Sequence, residues 1–345
     1  VNENIEQAED LKRLQAAMAA RSAIRSWAEG AELIELVRAA YHAGWLDQLR
    51  GGTTAEELAA SNGVSVEQAS NVLTVLTSAG VVQAETTSFR LSPAFDALVA
   101  GVSGIDMTVP LDAVDLARDQ AGQAVQPADR RRGLDGEQAL VLARSTGLRP
   151  TDGVRQLFGL IYQALPEYRE RLEQGGPLLD VGSGIGGALL TTLTVFDKLH
   201  AVGVEIVPEI AAETRRRAQD AGVADRLEVR AIDACALNEE SAFTVCFWAQ
   251  AFFSTSARAA TIAAIFRALQ PGGLLLMQEL FPPLATQDEP STRAQLDQLF
   301  YRQQNASYGL SAEDLAAEAG EAGFQDAQIV ASPLGRLVLV RKPGH

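Results

Sequence analysis

Through residues 5–50 apolar side chains recur every three or four positions, and Trp27, Ala31, Ile34, Val37 and Tyr41 fall on one face. That period predicts helices with one buried stripe. The stripe's partner is open at this level: the chain's own core, or a second subunit. From Thr53 the segment TTAEELAASNGVSVEQASNVLTVLTSAGVVQAETTSFRLS predicts two short helices, a turn at Asn62-Gly63 and a β-hairpin. Thr54 with Glu57, and Ser65 with Gln68, have the spacing of capping boxes. Ala69, Val72, Leu73 and Leu76 form the stripe of the second helix, Gly80 ends it, and Val81-Val82 and Phe89-Arg90-Leu91 supply two strands. Helix, turn, helix and hairpin in this order predict a winged-helix domain.

Residues 101–150 are weaker in pattern, and their short basic run DRRRG (129–133) reads as surface. From about Asp152 the segment GVRQLFGLIYQALPEYRERL is helical, with Leu157, Ile161 and Leu165 on one stripe and Tyr162 and Tyr168 nearby. Beyond it the period changes. Apolar runs LLDV, HAVGVEIV (200–207), RLEVRAIDA, FTVCFW (243–248) and LLLMQEL alternate with helical segments PEIAAETRRRAQDAG and ARAATIAAIFRAL. Such alternation predicts an α/β fold with a doubly wound, Rossmann-like parallel sheet. Pro271-Gly272-Gly273 reads as the turn into the fifth strand, Arg215-Arg216-Arg217 as a solvated face, and DAQIVAS with GRLVLVRK as a final antiparallel hairpin at one edge.

Composition narrows the partners. The 345 residues carry 44 acids against 29 bases, a net charge of −15, which disfavours a nucleic-acid backbone. The winged-helix segment sharpens this: between Thr53 and Leu98 Arg90 is the one basic residue, against Glu56, Glu57, Glu67, Glu85 and Asp96. A recognition helix without Lys or Arg lacks the phosphate contacts on which DNA affinity rests. A dimerisation role is therefore expected of this domain, and a small molecule is the expected ligand. Cys235 and Cys246 have no framework spacing and suit a reducing compartment. The opening VNENIEQAED is too polar for a signal peptide, and no apolar run approaches the ~20 residues of a membrane span. The expectation is a cytoplasmic protein.

Candidate chemistry centres on LLDVGSGIGG (178–187). Leu178, Leu179 and Val181 suit a buried strand; Gly182, Gly184 and Gly186 permit a tight turn and close approach of a ligand to the backbone. The helix that follows, from about Gly187 through Leu193, would turn its N–H groups to an electron-rich ligand. Gly182, Gly184 and Gly187 also satisfy the dinucleotide pattern G-x-G-x-x-G. Glu205, near the end of the second strand, stands where an acid can accept hydrogen bonds from ribose hydroxyls, a role shared by several nucleotide cofactors.

Asp180 ahead of the glycines resembles the D/E-x-G-x-G-x-G motif of class I S-adenosylmethionine (SAM) methyltransferases, and the whole order of elements resembles the winged-helix small-molecule methyltransferases of bacteria and plants. The resemblance implies SAM as cofactor, with Asp180 beside its amino-acid part, Glu205 at the ribose and Asp233 at the adenine, although Asp233 can also be read as a helix cap. It adds Ser183, Ile206, Ala234, Phe247 and Trp248 to the cofactor set. It also implies three regions: a helical and winged-helix dimerisation domain (1–100), connecting helices over the active site (101–170) and a SAM-binding domain (171–345). A homodimer and a natural-product acceptor follow from the same likeness.

The resemblance breaks after the fourth strand. O-methyltransferases of this family carry a histidine there as general base, whereas this chain has Ala249-Gln250-Ala251-Phe252-Phe253-Ser254. Relatives that hold iron need further histidines, and LFYRQQNASYG has none, so no metal is expected. His42, His200 and His345 are all placed away from the expected site. Tyr162, Gln250, Phe252, Phe253, Tyr301, Asn305 and Tyr308 are candidates for the substrate pocket, and Glu279, Tyr301 and Tyr308 for a base. Three function classes stay open: methyl transfer by positioning and desolvation or by one of those bases, a non-methylating reaction on the same cofactor, and a ligand-responsive regulator.

Overall fold

The N-terminal stripe forms one long helix, α1 (Asn2–His42). Among its described side chains, those buried lie near the C-terminal end, at Val37 and Ala40, while Trp27 is 74% exposed and Leu14, Met18 and Ile24 are exposed with it. The computed structural model describes residues 2–101, 106–284 and 289–344, leaving aside the side chains of 2–8 and 128; His345 lies outside the described residues. The chain divides into two units, Val1–Gly101 and Val102–His345.

In the first unit, α1 is followed by α2 (Trp45–Arg50), α3 (Ala55–Asn62), α4 (Val66–Ser78), the strands β1 (Val82–Ala84) and β2 (Phe89–Leu91), and α5 (Pro93–Val99). The Thr54–Glu57 capping box is formed in both directions, and Ser65 accepts from the Gln68 N–H. Gly63 takes φ 67° at the turn between the two helices, a conformation that costs glycine little. β1 and β2 pair antiparallel, with Val82 opposite Leu91. Leu46, Leu49, Leu58, Leu73, Leu76 and Leu91 are buried and form the small core.

The second unit opens with α6 (Thr108–Gln123), α7 (Gly136–Thr146), α8 (Asp152–Gln163) and α9 (Pro166–Glu173). Strands and helices then alternate: β3 (Leu178–Val181), α10 (Gly187–Val195), β4 (Ala201–Val204), α11 (Pro208–Asp220), β5 (Leu227–Arg230), β6 (Phe243–Trp248), α12 (Thr255–Ala268) and β7 (Leu269–Gln278). After α13 (Thr292–Gln303) and α14 (Ala312–Glu321), β8 (Gln325–Ser332) and β9 (Gly335–Arg341) close the chain. The sheet order is β5-β4-β3-β6-β7-β9-β8. β5 through β7 are parallel, and β9 runs antiparallel between β7 and β8. This is the expected α/β sheet with its antiparallel end.

Because side chains alternate along β3, Leu178 and Asp180 face the layer of α8, α9 and α10, while Leu179 and Val181 face α12 and α14. The order reverses beside β3, and the crevice at such a switch point is where doubly wound sheets receive ligands. Three local expectations change. Pro271-Gly272-Gly273 does not precede the fifth strand but bulges within β7, so that Phe243 pairs with Leu269 and Val245 with Leu274. The buried stripe of α8 is Val154, Phe158, Ile161 and Tyr162, with Leu157 only half-buried. Arg217 is not solvated: it is buried and donates to Glu213 at 2.8 Å, because the long α11 turns that side of the helix inward.

Candidate functional site

The glycine loop leaves β3 at Val181 and turns back toward β4. The N–H groups of Gly182 and Ser183 both donate to the Val204 carbonyl, at 2.9 and 3.0 Å, and Thr214 Oγ1 donates to the Gly184 carbonyl at 2.6 Å. Gly182, Gly184 and Gly186 all have positive φ, at 73°, 55° and 78°. Space matters as well as angle. A Cβ at residue 182 would lie 2.7 Å from the Phe253 ring, and one at 187 would lie 2.9 Å from the Leu148 backbone nitrogen, whereas position 184 is open. The first glycine is thus pressed against the segment after β6, and the middle one faces free space.

Two carboxyl groups flank the loop. Glu205 accepts from the Gly184 N–H at 3.1 Å and the Val207 N–H at 2.9 Å; burial raises its pKa, and those backbone donors oppose the rise. Asp180 is 2% exposed and its Oδ1 has no hydrogen-bond partner. Burial, with the Glu205 carboxylate adding to it, pushes the Asp180 pKa up to about 8. Asp180 also lines a cavity of about 50 Å³ walled by Phe158, Tyr162, Tyr168, Thr192, Phe247 and Gln278. Three polar groups of the wall are committed: Tyr162 and Thr192 bond one another, and the Gln278 amide donates to the Leu334 carbonyl. Asp180 is left as the unsatisfied group there.

The remaining cofactor candidates separate by face. Ser183 is buried with its hydroxyl unpartnered, and Ile206 is 62% exposed beyond the end of β4. Asp233 is exposed and caps the short turn at 234–236, accepting from the Cys235 N–H at 2.9 Å, while Ala234 is buried. Phe247 joins Asp180 at the cavity. Trp248 points the other way, is wholly buried, packs at 5.6 Å against Phe253 and lies under the Arg258 guanidinium at 4.8 Å. Its ring belongs to the core, a correction that follows from the alternation of β6.

The catalytic candidates do not hold. Glu279 accepts two hydrogen bonds from Arg336, both at 2.7 Å, and one from the Ala312 N–H at 3.1 Å, so its oxygens are occupied by the fold. Burial raises the Tyr301 and Tyr308 pKa values, helped by Asp297, which keeps both phenols protonated; Tyr308 also donates to the Ala294 carbonyl. Gln250 is likewise no free pocket group. Its amide donates to the Gln278 carbonyl at 2.9 Å and its oxygen accepts from Arg258 at 2.8 Å. Asn305 is an exposed turn residue with φ 55° after α13. Phe252, Tyr301 and Tyr308 do come together, around Phe281: ring centroids lie 6.4 Å, 4.6 Å and 4.8 Å from it. Phe281, Thr192 and Gln278 were not foreseen, although an aromatic just beyond β7 was a signal for the first. Among the described residues no group of three His, Cys, Asp or Glu could hold a metal ion.

Residues 178–273, from β3 to the bulge of β7, match the methyltransferase domain family. This stretch is similar to the methyltransferase domains of that family. No curated protein matches the chain. Solved structures match its fold over nearly its whole length. An O-methyltransferase family protein from Burkholderia thailandensis has a TM-score of 0.67 at 16% identity, covering 91% of this chain and 95% of its own. Human N-acetylserotonin methyltransferase in complex with SAM gives 0.66 at 15%, covering 94% and 98%. The mitomycin 7-O-methyltransferase MmcR gives 0.64 at 18%, covering 95% and 99%. At these identities the likeness is one of fold.

Proposed function

We propose that the chain is a SAM-dependent methyltransferase acting on a small-molecule acceptor. The observation that carries this reading is the pair of buried carboxyl groups, Asp180 and Glu205, around a glycine loop. A dinucleotide would bring its pyrophosphate toward Asp180 and be repelled, whereas SAM would bring an ammonium group, which an acid attracts; the ribose hydroxyls at Glu205 are common to both. The unsatisfied Asp180 Oδ1 and Ser183 hydroxyl, the positive-φ glycines and the exposed Ile206 fit such a ligand. Asp180 would hold its amino-acid end and Glu205 its ribose. The cofactor supplies a methyl group on sulfonium, already activated for transfer.

No described side chain at the site stands ready as a base. The chain's contribution is therefore positioning and exclusion of water, which suffices for an anionic, amine or electron-rich carbon nucleophile. The lack of a base also favours, as the second reading, a reaction of the same bound cofactor without methyl transfer. Product mass separates the two, since methyl transfer adds one CH₂ and leaves S-adenosylhomocysteine. Residues 101–170 would cover the site, and the exposed apolar stripe of α1 would meet a second copy in a homodimer. The two free thiols agree with a cytoplasmic location.

The test is thermal unfolding with SAM, S-adenosylhomocysteine and NADH in parallel. A ligand at 100 times its Kd stabilises the fold by roughly 2.7 kcal/mol, a shift of several degrees. The two sulfur nucleosides should raise the midpoint and NADH should not; the opposite result overturns the reading.

A further inference from the structure

Asp180 is a carboxyl group in an unusual position. It is 2% exposed, its Oδ1 meets no donor, and it borders a cavity whose other walls are mostly aromatic and aliphatic, with Thr192 and Gln278 among them. The titratable groups coupled to it come from four neighbouring elements: Glu205, from the end of β4, acts on Asp180, and Asp180 in turn acts on Tyr162 from α8, Tyr168 from α9 and Cys246 from β6. α10 contributes the hydroxyl of Thr192 and β7 the amide of Gln278, both already bonded. Burial raises the pKa of both phenols and of the thiol, so all three stay neutral, and the charge beside Asp180 is the like charge of Glu205. A carboxylate buried without a donor or a cation is costly, and the group avoids that cost by keeping its proton.

A ligand that carries a cation into this position reverses the balance. On the SAM reading above, the arriving charge is the α-ammonium of the cofactor. We propose that capture of the cofactor's amino-acid end is coupled to release of a proton from Asp180, so that the carboxyl group is neutral in the free protein and becomes the anionic half of an ion pair in the complex. The Asp180 O–H bond is the one that breaks: its electron pair stays on the carboxylate, its proton passes to solvent water, and the ammonium keeps its three. Asp180 thereby favours ligands that bring a positive charge to its end of the cleft, and binding through it weakens as the solution becomes more acidic.

The experiment is isothermal titration calorimetry on the full chain at pH 6.5, in buffers of different ionisation enthalpy, with S-adenosylhomocysteine and with 5′-methylthioadenosine. The first carries the ammonium, which is protonated at this pH. The second carries the same adenosine and thioether but no amino acid, so any contribution of Glu205 at the ribose appears in both. The expected result is release of close to one proton per S-adenosylhomocysteine bound, since the buried, donor-free Asp180 has its pKa pushed up to about 8, and much less with methylthioadenosine. Asp180→Asn should bind more weakly and remove the difference between the ligands. Binding of S-adenosylhomocysteine without proton release, or equal release with both ligands, overturns the proposal and leaves the cofactor reading intact. Failure of S-adenosylhomocysteine to bind overturns the cofactor reading and this inference with it.

Discussion

Asp180 and Glu279 are both buried carboxyl groups at the ends of parallel strands of one sheet, yet the fold treats them oppositely. Glu279 accepts three hydrogen bonds, two from Arg336 and one from the first residue of α14. Asp180 has an oxygen with no partner and a pKa pushed up to about 8. One carboxylate fastens β7 to β9 and α14. The other is left without a donor, which suits the ligand role proposed for it above. The same contrast separates Gln250, whose amide is spent on β7 and Arg258, from Ser183, whose hydroxyl is idle. Residue type alone does not distinguish these roles; the supply of partners does.

The contrast can be broken most severely at the loop. Gly182→Val imposes a positive φ on a branched residue and drives its Cβ into Phe253, so we expect at least ~100-fold weaker S-adenosylhomocysteine binding by calorimetry, and a loss of roughly 2–5 kcal/mol in stability. Denaturant melts separate the two effects. Next in size is the pH dependence of Asp180. Its pKa is higher in the folded chain than unfolded, so the folded state binds more protons between pH ~4 and ~8, and this contribution to stability is lost as pH rises through that window. The slope is about 1.4 kcal/mol per pH unit from this group. Asp180→Asn should remove it, gaining stability over the native chain as pH increases, and urea melts at pH 5, 6 and 7 check this; an unchanged slope would mean the native carboxyl is ionised.

Glu279→Ala tests the other member of the pair. It should cost roughly 2–3 kcal/mol, below the ~3–5 kcal/mol of a fully buried broken pair because Arg336 reaches solvent, and leave the Kd for S-adenosylhomocysteine within about twofold. A large loss of affinity would show that Glu279 belongs to the site after all. The smallest effects are expected at the phenols. Tyr301→Phe and Tyr308→Phe should each change turnover, once an acceptor is known, by less than roughly tenfold, below the usual 10²–10⁴ contribution of a general base. A fall of a hundredfold in either would restore that tyrosine as the base.

Much of this protein was legible along the chain because it depends on near neighbours. The Thr54–Glu57 cap, the turn at Gly63, the strand and loop at 178–187 and the alternation of strands and helices each rest on a few consecutive residues. Periodicity, capping chemistry and the steric freedom of glycine determined them locally. The positions of Asp180 and Glu205 at adjacent strand ends followed from the same alternation.

What only the tertiary structure decided is which polar groups are satisfied. Glu279 and Arg336 lie far apart in sequence and meet because β9 inserts between β7 and β8. Gln250 is consumed by Arg258 and by the backbone of β7, and Phe281 gathers Tyr301 of α13 and Tyr308 from the segment after it. Each outcome depends on a long-range neighbour that no window of sequence contains. A carboxylate in a buried strand is equally readable as a ligand site or a structural clasp, and the choice rests on whether the fold brings it a donor.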